Sequence, residues 1–123
     1  MRLQDIYTPV IFTADIGATL TEVAHEMEEG DIGSLAVFEA DRLVGIITER
    51  DLVRALANER FPHSTAIRAY VSTDLQTADV EEDSRRVGRR MLDLGVRHLP
   101  VLKSGELVGI VSMRDLMTAE VRG

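Results

Sequence analysis

The sequence contains no cysteine and no tryptophan, and phenylalanine and tyrosine together make up only 4% of its 123 residues. Without cysteine the chain can form no disulfide, no thiolate metal site and no thiol nucleophile. This composition is compatible with a reducing compartment, and we predict a cytoplasmic location.

Long apolar runs and an excess of positive charge are also absent. No apolar run approaches the ~20 residues of a transmembrane helix, and the N-terminal MRLQDIYTPV has no signal-peptide core. We therefore expect no membrane association. The net charge of −7 argues against a nucleic-acid partner, because neutralising phosphates requires an excess of lysine and arginine.

The sequence lacks the usual motifs of catalysis and metal binding. It has no G-x-S-x-G, H-E-x-x-H or G-x-x-x-x-G-K-[ST] pattern. Its three histidines have no spacing that would bring three or four ligands together. We therefore predict that the protein is not an enzyme, binds no metal and requires no cofactor.

An internal repeat organises the chain. Residues 13–53 align without a gap on residues 77–117 and are identical to them at 14 of 41 positions. Each half has only about 60 residues and would bury a modest fraction of its surface by itself. We therefore expect the two halves to share one core.

Apolar periodicity predicts a lead-in followed by β-α-β-β-α in each repeat. The helices are predicted over Ala18–Glu29, Thr48–Asn58, Asp83–Leu94 and from Ser112 to near Val121. The hairpin strands are predicted over Ile32–Phe38, Leu43–Ile47, Leu99–Leu102 and Leu107–Val111. Val10–Phe12 is predicted to be extended, Thr13–Asp15 to be a polar link, and Gly30 to end the first helix. Leu20, Val23, Ala24 and Met27 form the predicted apolar stripe of that helix.

Two motifs connect the repeats to a known family. Gly45–Asp51 and Gly109–Asp115 both follow the pattern G-h-x-[ST]-x-x-D, where h is apolar, and Val96–Val101 follows h-x-x-h-P-V. These segments resemble cystathionine-β-synthase (CBS) domains, and the resemblance covers essentially the whole chain. It implies an α+β fold (α/β-type) of two tandem β-α-β-β-α repeats packed sheet to sheet with pseudo-twofold symmetry. The first repeat would span positions 1–58, the linker 59–66 and the second repeat 67–123.

The resemblance also implies a function. CBS pairs commonly bind adenosine compounds such as AMP, ADP, ATP, S-adenosylmethionine or NAD(H) in clefts between the repeats. The chain would then be a regulatory module that signals to a partner protein, and an energy sensor where the ligand is an adenine nucleotide. Family members often pair into a homodimer of four repeats, and the helices Ala18–Glu29 and Asp83–Leu94 are the candidate interface. An alternative is a ligand-free structural or adaptor protein that acts through homodimerisation and partner binding.

The site residues follow by position in the motifs. One cleft would use Ser112, Asp115, Arg97 and His98 with Ile11, Ile32, Gly33 and Ser34. The other would use Thr48, Asp51, Leu75, Val96, Arg97 and His98. A carboxylate can accept both hydroxyl donors of a ribose, a helix N-terminus offers free N–H groups to phosphate, and arginine can bind phosphate with two hydrogen bonds. Because Gly33-Ser34 carries no base, we expect the cleft with Ser112 and Asp115 to be the better site.

Several of these residues also have plain structural interpretations. The hydroxyl–Asp pairs are typical helix caps, and Arg97 and His98 can be edge residues of a solvated strand. Gly45 and Gly109 would allow either a ligand or a neighbouring strand to approach closely. The arginines at positions 85–90 form either a solvated face with local ion pairs or a surface that contacts an anion or a second chain. The methionines of the two long helices are expected in the core, at the exposed edge of each apolar stripe.

Overall fold

The computed structural model describes residues 1–9 and 12–122. Short 3-10 turns at Leu3–Asp5 and Ile67–Ala69 precede the repeats. The strands are β1 (Thr8–Pro9), β2 (Thr13–Asp15), β3 (Ser34–Glu39), β4 (Arg42–Thr48), β5 (Ala78–Asp79), β6 (His98–Lys103) and β7 (Glu106–Ser112). The helices are α1 (Leu20–Gly30), α2 (Glu49–Asn58), α3 (Ser84–Leu94) and α4 (Met113–Arg122). The β-α-β-β-α order and the α+β class are confirmed, and in the described part of the chain no helix is long and apolar enough to cross a membrane.

The first strand of the first repeat is the segment that was predicted to be a polar link. Residues Thr13–Asp15 pair in parallel with β3, and Ala14 is buried between two exposed neighbours. That prediction was wrong because one buried alanine in an alternating pattern is enough for a short strand that another strand holds in place. The predicted extended segment Val10–Phe12 includes Val10 and Ile11, which lie outside the described residues.

Contacts divide the chain into two compact units. The described residues of one unit are 1–9 and 76–122, and those of the other are 12–75. Each unit has its own hydrophobic core, so the expectation of one shared core was wrong. Leu3 is fully buried in the core that contains the second repeat, and Ile67 is fully buried in the core of the first. A repeat of about 60 residues thus completes its core with the lead-in turn of the other repeat.

The two motif glycines make room for these lead-in segments. Ser72 exchanges backbone hydrogen bonds with Ile46 at 3.0 and 3.2 Å, and a Cβ at Gly45 would collide with the Ser72 carbonyl. In the same way β1 pairs with β7, and a Cβ at Gly109 would collide with Thr8 and with the ring of Tyr7. The close approach of a neighbouring segment therefore explains why both positions hold glycine.

The buried stripes of the long helices are narrower than predicted. Leu20, Val23 and Met27 are buried in α1, whereas Ala24 is exposed, so its assignment to the core stripe was wrong. Met27 and Met91 both lie inside their cores. Their predicted core role is confirmed, and their predicted place at an exposed edge was wrong.

The first helix also ends one position later than predicted. Gly30 belongs to α1, and Asp31 takes the left-handed conformation that Gly95 takes after α3. A Cβ at Gly30 would lie 2.8 Å from the ring of Phe12, so a larger residue there would force that ring to shift.

Candidate ligand-binding site

Each hairpin is followed by a helix whose first turn is capped by a hydroxyl side chain and an aspartate. In the first repeat, Thr48 is the N-cap of α2, and its hydroxyl accepts from the Asp51 backbone N–H at 3.3 Å. Asp51 Oδ2 in turn accepts from the Thr48 backbone N–H at 2.8 Å and from the Thr48 hydroxyl at 3.0 Å. This is a complete capping box.

The second oxygen of this aspartate is also occupied. Oδ1 of Asp51 accepts from the Arg54 guanidinium at 3.0 Å, and only 15% of the Asp51 side chain is exposed. Both carboxylate oxygens of Asp51 therefore have protein partners. A ligand hydroxyl at this position would have to compete with Arg54.

The second repeat has the same capping box, in which one carboxylate oxygen has no partner among the described residues. Oδ2 of Asp115 accepts from the Ser112 backbone N–H at 2.9 Å, and the Ser112 hydroxyl accepts from the Asp115 backbone N–H at 2.9 Å. Oδ1 of Asp115 accepts no hydrogen bond from the residues that the structure describes. Thr118 stands where the first repeat has Arg54, so no guanidinium reaches this carboxylate from that position.

The first residue of β3 lies beside the capping box of α2, and the first residue of β6 lies beside the capping box of α4. Ser34 pairs with Thr48 and His98 pairs with Ser112 in the strand registers. The residues just before them also contact the helix, because Gly33 O accepts from the Glu49 N–H at 3.0 Å and Arg97 O accepts from the Met113 N–H at 2.8 Å. The Arg97 side chain is exposed at this helix start.

These hydrogen bonds limit the N–H groups that each helix start offers to a phosphate. The N–H groups of Ser112, Met113 and Asp115 bond to protein oxygens, and the corresponding amides of α2 do the same. Three N–H groups at the start of each helix are therefore already bonded, two through the capping box and one through the carbonyl of Gly33 or Arg97. A phosphate at this end of α4 would have the exposed Arg97 side chain as a further donor.

The remaining predicted site residues lie at different depths. Ile32 and Val96 are half-buried and pack partly against the cores of their own units. Leu75 is half-buried beyond the segment that pairs with β4, and Ile11 lies outside the described residues. Within one unit the structure brings Gly33 and Ser34 to Thr48. In the other unit Arg97 and His98 lie beside Ser112.

Sequence reasoning missed Arg54, the residue that distinguishes the two boxes. Its signal was the three-residue spacing from Asp51, which places the two side chains on one face of a helix. Among residues 1–9 and 12–122, no group of three or more His, Cys, Asp or Glu side chains is placed to hold a metal ion. The predicted absence of a metal site stays a prediction.

Comparison with known proteins gives the same architecture. The protein of 17.7 kDa in the bps2 3′ region of Acidianus ambivalens is 38% identical over 120 residues, which are 96% of this chain and 72% of that protein. Other relatives are longer, and the chain spans 58% of the Methanopyrus kandleri protein MK0525.

Solved structures extend the comparison. The CBS domain pair of protein MJ0100, in complex with 5′-methylthioadenosine and S-adenosyl-L-methionine, matches with a TM-score of 0.88 and 26% identity over 99% of this chain and 97% of that one. CBSX2 in complex with AMP matches with a TM-score of 0.82 over 98% and 96% of the two chains, and at 18% identity this likeness concerns the fold alone. The sequence model of the CBS domain matches residues 3–58 and 67–122. The chain therefore belongs to the CBS domain family, and it contains two CBS repeats.

Proposed function

We propose that the chain is a regulatory, non-catalytic module that binds an adenosine-containing compound at the capping-box end of α4. The ligand class is AMP, ADP or ATP, or alternatively S-adenosylmethionine or NAD. The observation that carries this proposal is Oδ1 of Asp115, which accepts no hydrogen bond from the described residues, at a helix start that the Arg97 carbonyl contacts and where the Arg97 side chain is exposed. The MJ0100 pair supports the class, because its ligands share an adenosine group.

A ribose fits the chemistry of the Asp115 carboxylate. Its Oδ2 is used by the helix cap, whereas its Oδ1 can accept from a ligand hydroxyl without breaking a protein hydrogen bond. The Ser112 hydroxyl accepts from Asp115 N–H and keeps its own hydrogen for a ligand oxygen. At Asp51 the corresponding oxygen already accepts from Arg54, so a ligand hydroxyl would share it with the guanidinium. We therefore assign the stronger site to the second repeat and a weaker one to the first.

Arg97 determines the preference among adenosine compounds. A guanidinium binds phosphate through paired, charge-assisted hydrogen bonds, so it favours AMP or ATP over a neutral adenosine. Occupancy by an adenine nucleotide would make the module an energy sensor. It would signal to a partner protein only if the ligand binds two states of the chain with different affinity.

Isothermal titration of the purified chain with AMP, ATP, S-adenosylmethionine, NADH and 5′-methylthioadenosine tests this function. We expect Asp115→Ala to abolish detectable binding of whichever compounds bind, and Asp51→Ala to leave the stronger site in place. Arg97→Ala should weaken AMP and ATP by about tenfold, the scale of one charge-assisted contact, and leave 5′-methylthioadenosine unchanged.

Thermal unfolding of each variant is the control, because losing one cap costs only ~1 kcal/mol and should leave the fold intact. Absence of binding by all five compounds would refute the ligand-binding function. Equal weakening of AMP and 5′-methylthioadenosine by Arg97→Ala would refute the phosphate role of Arg97.

A second candidate function is a ligand-free adaptor that acts as a homodimer. The observation that favours it is a set of large apolar side chains left exposed on the helices. They are Val53 and Leu56 in α2, Leu92 and Leu94 in α3, and Met117 and Val121 in α4. Homodimerisation is compatible with both functions, so we propose it for this chain in either case.

A further inference from the structure

The unit of residues 12–75 contains a polar cluster whose equivalent is missing from the other unit. The cluster consists of Arg54 in α2, Glu59 directly after α2, and Tyr70 directly after the 3-10 turn Ile67–Ala69. At the equivalent positions of the other unit the sequence has no charged or aromatic residue, and the residues there are Thr118, Gly123 and Ile6. The cluster is therefore a property of the first capping box alone.

Two hydrogen bonds hold the cluster in its present arrangement. The Tyr70 hydroxyl donates to Oε2 of Glu59 at 2.8 Å. Nη2 of Arg54 donates to Oδ1 of Asp51 at 3.0 Å. The Tyr70 side chain is half-buried and packs against the core of its unit, so the core fixes the position of the ring that carries this hydroxyl.

Electrostatic interactions connect the two contacts. The hydrogen bond to Glu59 raises the pKa of the Tyr70 hydroxyl above its ordinary value, and partial burial and the negative charge of Glu59 act in the same direction. The positive charge of Arg54 lowers the pKa of Tyr70 in part. Arg54 is therefore close enough to the Tyr70–Glu59 pair for its charge to be felt there. Two carboxylates, Asp51 and Glu59, thus surround one exposed guanidinium.

The two carboxylates have different partners. Asp51 has the cation, whereas Glu59 has the neutral hydroxyl of Tyr70 and forms no ion pair with any residue that the structure describes. A guanidinium is the stronger donor to a carboxylate, and an exposed ion pair is weak enough to be exchanged for another. Glu59 would therefore compete with Asp51 for Arg54 if it lost the hydroxyl of Tyr70.

We propose that Tyr70 is a positioning residue whose hydroxyl occupies Glu59, so that Arg54 remains on Asp51 and the first adenosine site stays weak. This inference rests on the proposed adenosine sites and adds a contact that regulates one of them. Without the hydroxyl, Arg54 moves toward Glu59. Oδ1 of Asp51 can then accept from a ligand hydroxyl without sharing it with the guanidinium.

Titration of Tyr70 tests whether its contact with Glu59 forms in solution. The chain has two tyrosines, so Tyr7→Phe leaves Tyr70 as the only one that titrates in ultraviolet absorbance. In this background we expect Glu59→Gln to lower the pKa of Tyr70, because it removes the negative charge that raises it. An unchanged pKa would overturn the contact on which the proposal depends.

The position of Arg54 is measured by NMR without any ligand. Its Nε–Hε signal is assigned by its loss in Arg54→Thr. We expect Tyr70→Phe to move this signal, and Tyr70→Phe combined with Glu59→Gln to return it to the wild-type position, because glutamine has no charge to attract the guanidinium. Tyr7→Phe is the matched control and should leave the signal in place.

Two NMR results would overturn the proposal. One is an Arg54 signal that stays in place in Tyr70→Phe. The other is a signal that moves equally with and without Glu59→Gln, because Glu59 would then have no part in the effect. Circular dichroism melting curves are the folding control, since phenylalanine keeps the half-buried ring of Tyr70.

Ligand binding is measured in chains that carry Asp115→Ala, so that only the first site remains. The probe is 5′-methylthioadenosine, which has no phosphate for Arg54 to attract, and ligand-observed NMR detects its weak binding. We expect Tyr70→Phe to lower its Kd by about threefold to fivefold, the scale of one exposed ion pair. Glu59→Gln added to Tyr70→Phe should cancel the gain, and Arg54→Thr is the positive control.

The two proposals fail in distinguishable ways. Absence of binding in the Arg54→Thr control would overturn the adenosine site at Asp51, whereas the ligand-free NMR signal would still report whether Tyr70 positions Arg54. Stronger binding in Arg54→Thr together with an unchanged Kd in Tyr70→Phe would overturn the regulation by Tyr70 alone.

Discussion

At the scale of single residues, one sequence difference between the repeats distinguishes two otherwise equivalent capping boxes. Arg54 donates to Oδ1 of Asp51, whereas Thr118 stands at the equivalent position of the second repeat, where Oδ1 of Asp115 accepts no hydrogen bond from the described residues. The motif that both repeats share lies in the first turn of the helix, whereas this difference lies one turn further on. Equivalent motifs therefore do not make equivalent sites.

Exchanging these two residues should exchange the properties of the sites. We expect Arg54→Thr to strengthen adenosine binding at Asp51 and raise the stoichiometry toward two ligands per chain. Thr118→Arg should weaken binding at Asp115 by occupying its free oxygen. Titration calorimetry measures both effects, and an exposed ion pair of at most ~1 kcal/mol leaves the fold intact. Unchanged stoichiometry and affinity in both variants would show that Arg54 does not control access.

The carboxylate of Glu82 makes stability depend on pH. Partial burial raises its pKa, but hydrogen bonds from Arg90 and from the Asp79 backbone N–H, with the positive charges of Arg90 and Arg86, outweigh burial and lower the pKa below 4.5. Because the folded-state pKa is lowered, Glu82 stabilises the fold above its unfolded-state pKa. This contribution is lost as the pH falls through the folded-state pKa.

Glu82→Gln should therefore lower the free energy of unfolding at neutral pH and lose this effect in acid. Urea unfolding between about pH 7 and about pH 3 measures the difference from wild type, which should shrink as the pH falls. Glu106→Gln, at the exposed first position of β7, is the matched control. A difference for Glu82→Gln that stays constant with pH would contradict the assignment.

At the scale of elements, the lead-in turns complete the two units. Leu3 donates its backbone N–H to Glu82 O at 3.1 Å and buries its side chain completely. Ile67 donates to Ala18 O at 2.8 Å and is likewise fully buried. Each repeat thus depends on a segment that the chain places before the other repeat.

Truncating Leu3 should destabilise the unit that contains the second repeat, and truncating Ile67 should destabilise the unit that contains the first repeat. Leu3→Ala and Ile67→Ala each remove a fully buried side chain, at a cost of about 2–5 kcal/mol. Native-state hydrogen exchange should show lost protection in residues 76–122 for Leu3→Ala, and in residues 12–75 for Ile67→Ala. Reversed or uniform loss of protection would contradict the exchange of lead-in turns.

The sequence predicts the elements well where the pattern is local. The four helices and both hairpins follow from apolar periodicity, and so does a lead-in before each repeat. The strand at Thr13–Asp15 does not, because its stability comes from pairing with β3 rather than from its own residues. The core partners of Leu3 and the contact of Arg54 with Asp51 required the structure, since both depend on how side chains meet after folding.

At the scale of the whole molecule, charge is distributed unevenly along the chain. The net charge of −7 comes from the segment 1–58, since the segment 67–123 holds equal numbers of basic and acidic side chains. A net charge away from zero supports solubility. Composition alone gives the total net charge but not its distribution between the two segments.

The exchange of lead-in turns has a consequence for synthesis on the ribosome. A chain emerges from its N-terminus, so residues 12–75 become available together while the ribosome still holds the rest. The other unit joins residues 1–9 to residues 76–122, and its N-terminal segment is made long before the strand β7 with which Thr8 pairs. The unit of residues 12–75 can therefore fold during translation before the other unit, which must wait until residues 76–122 have emerged.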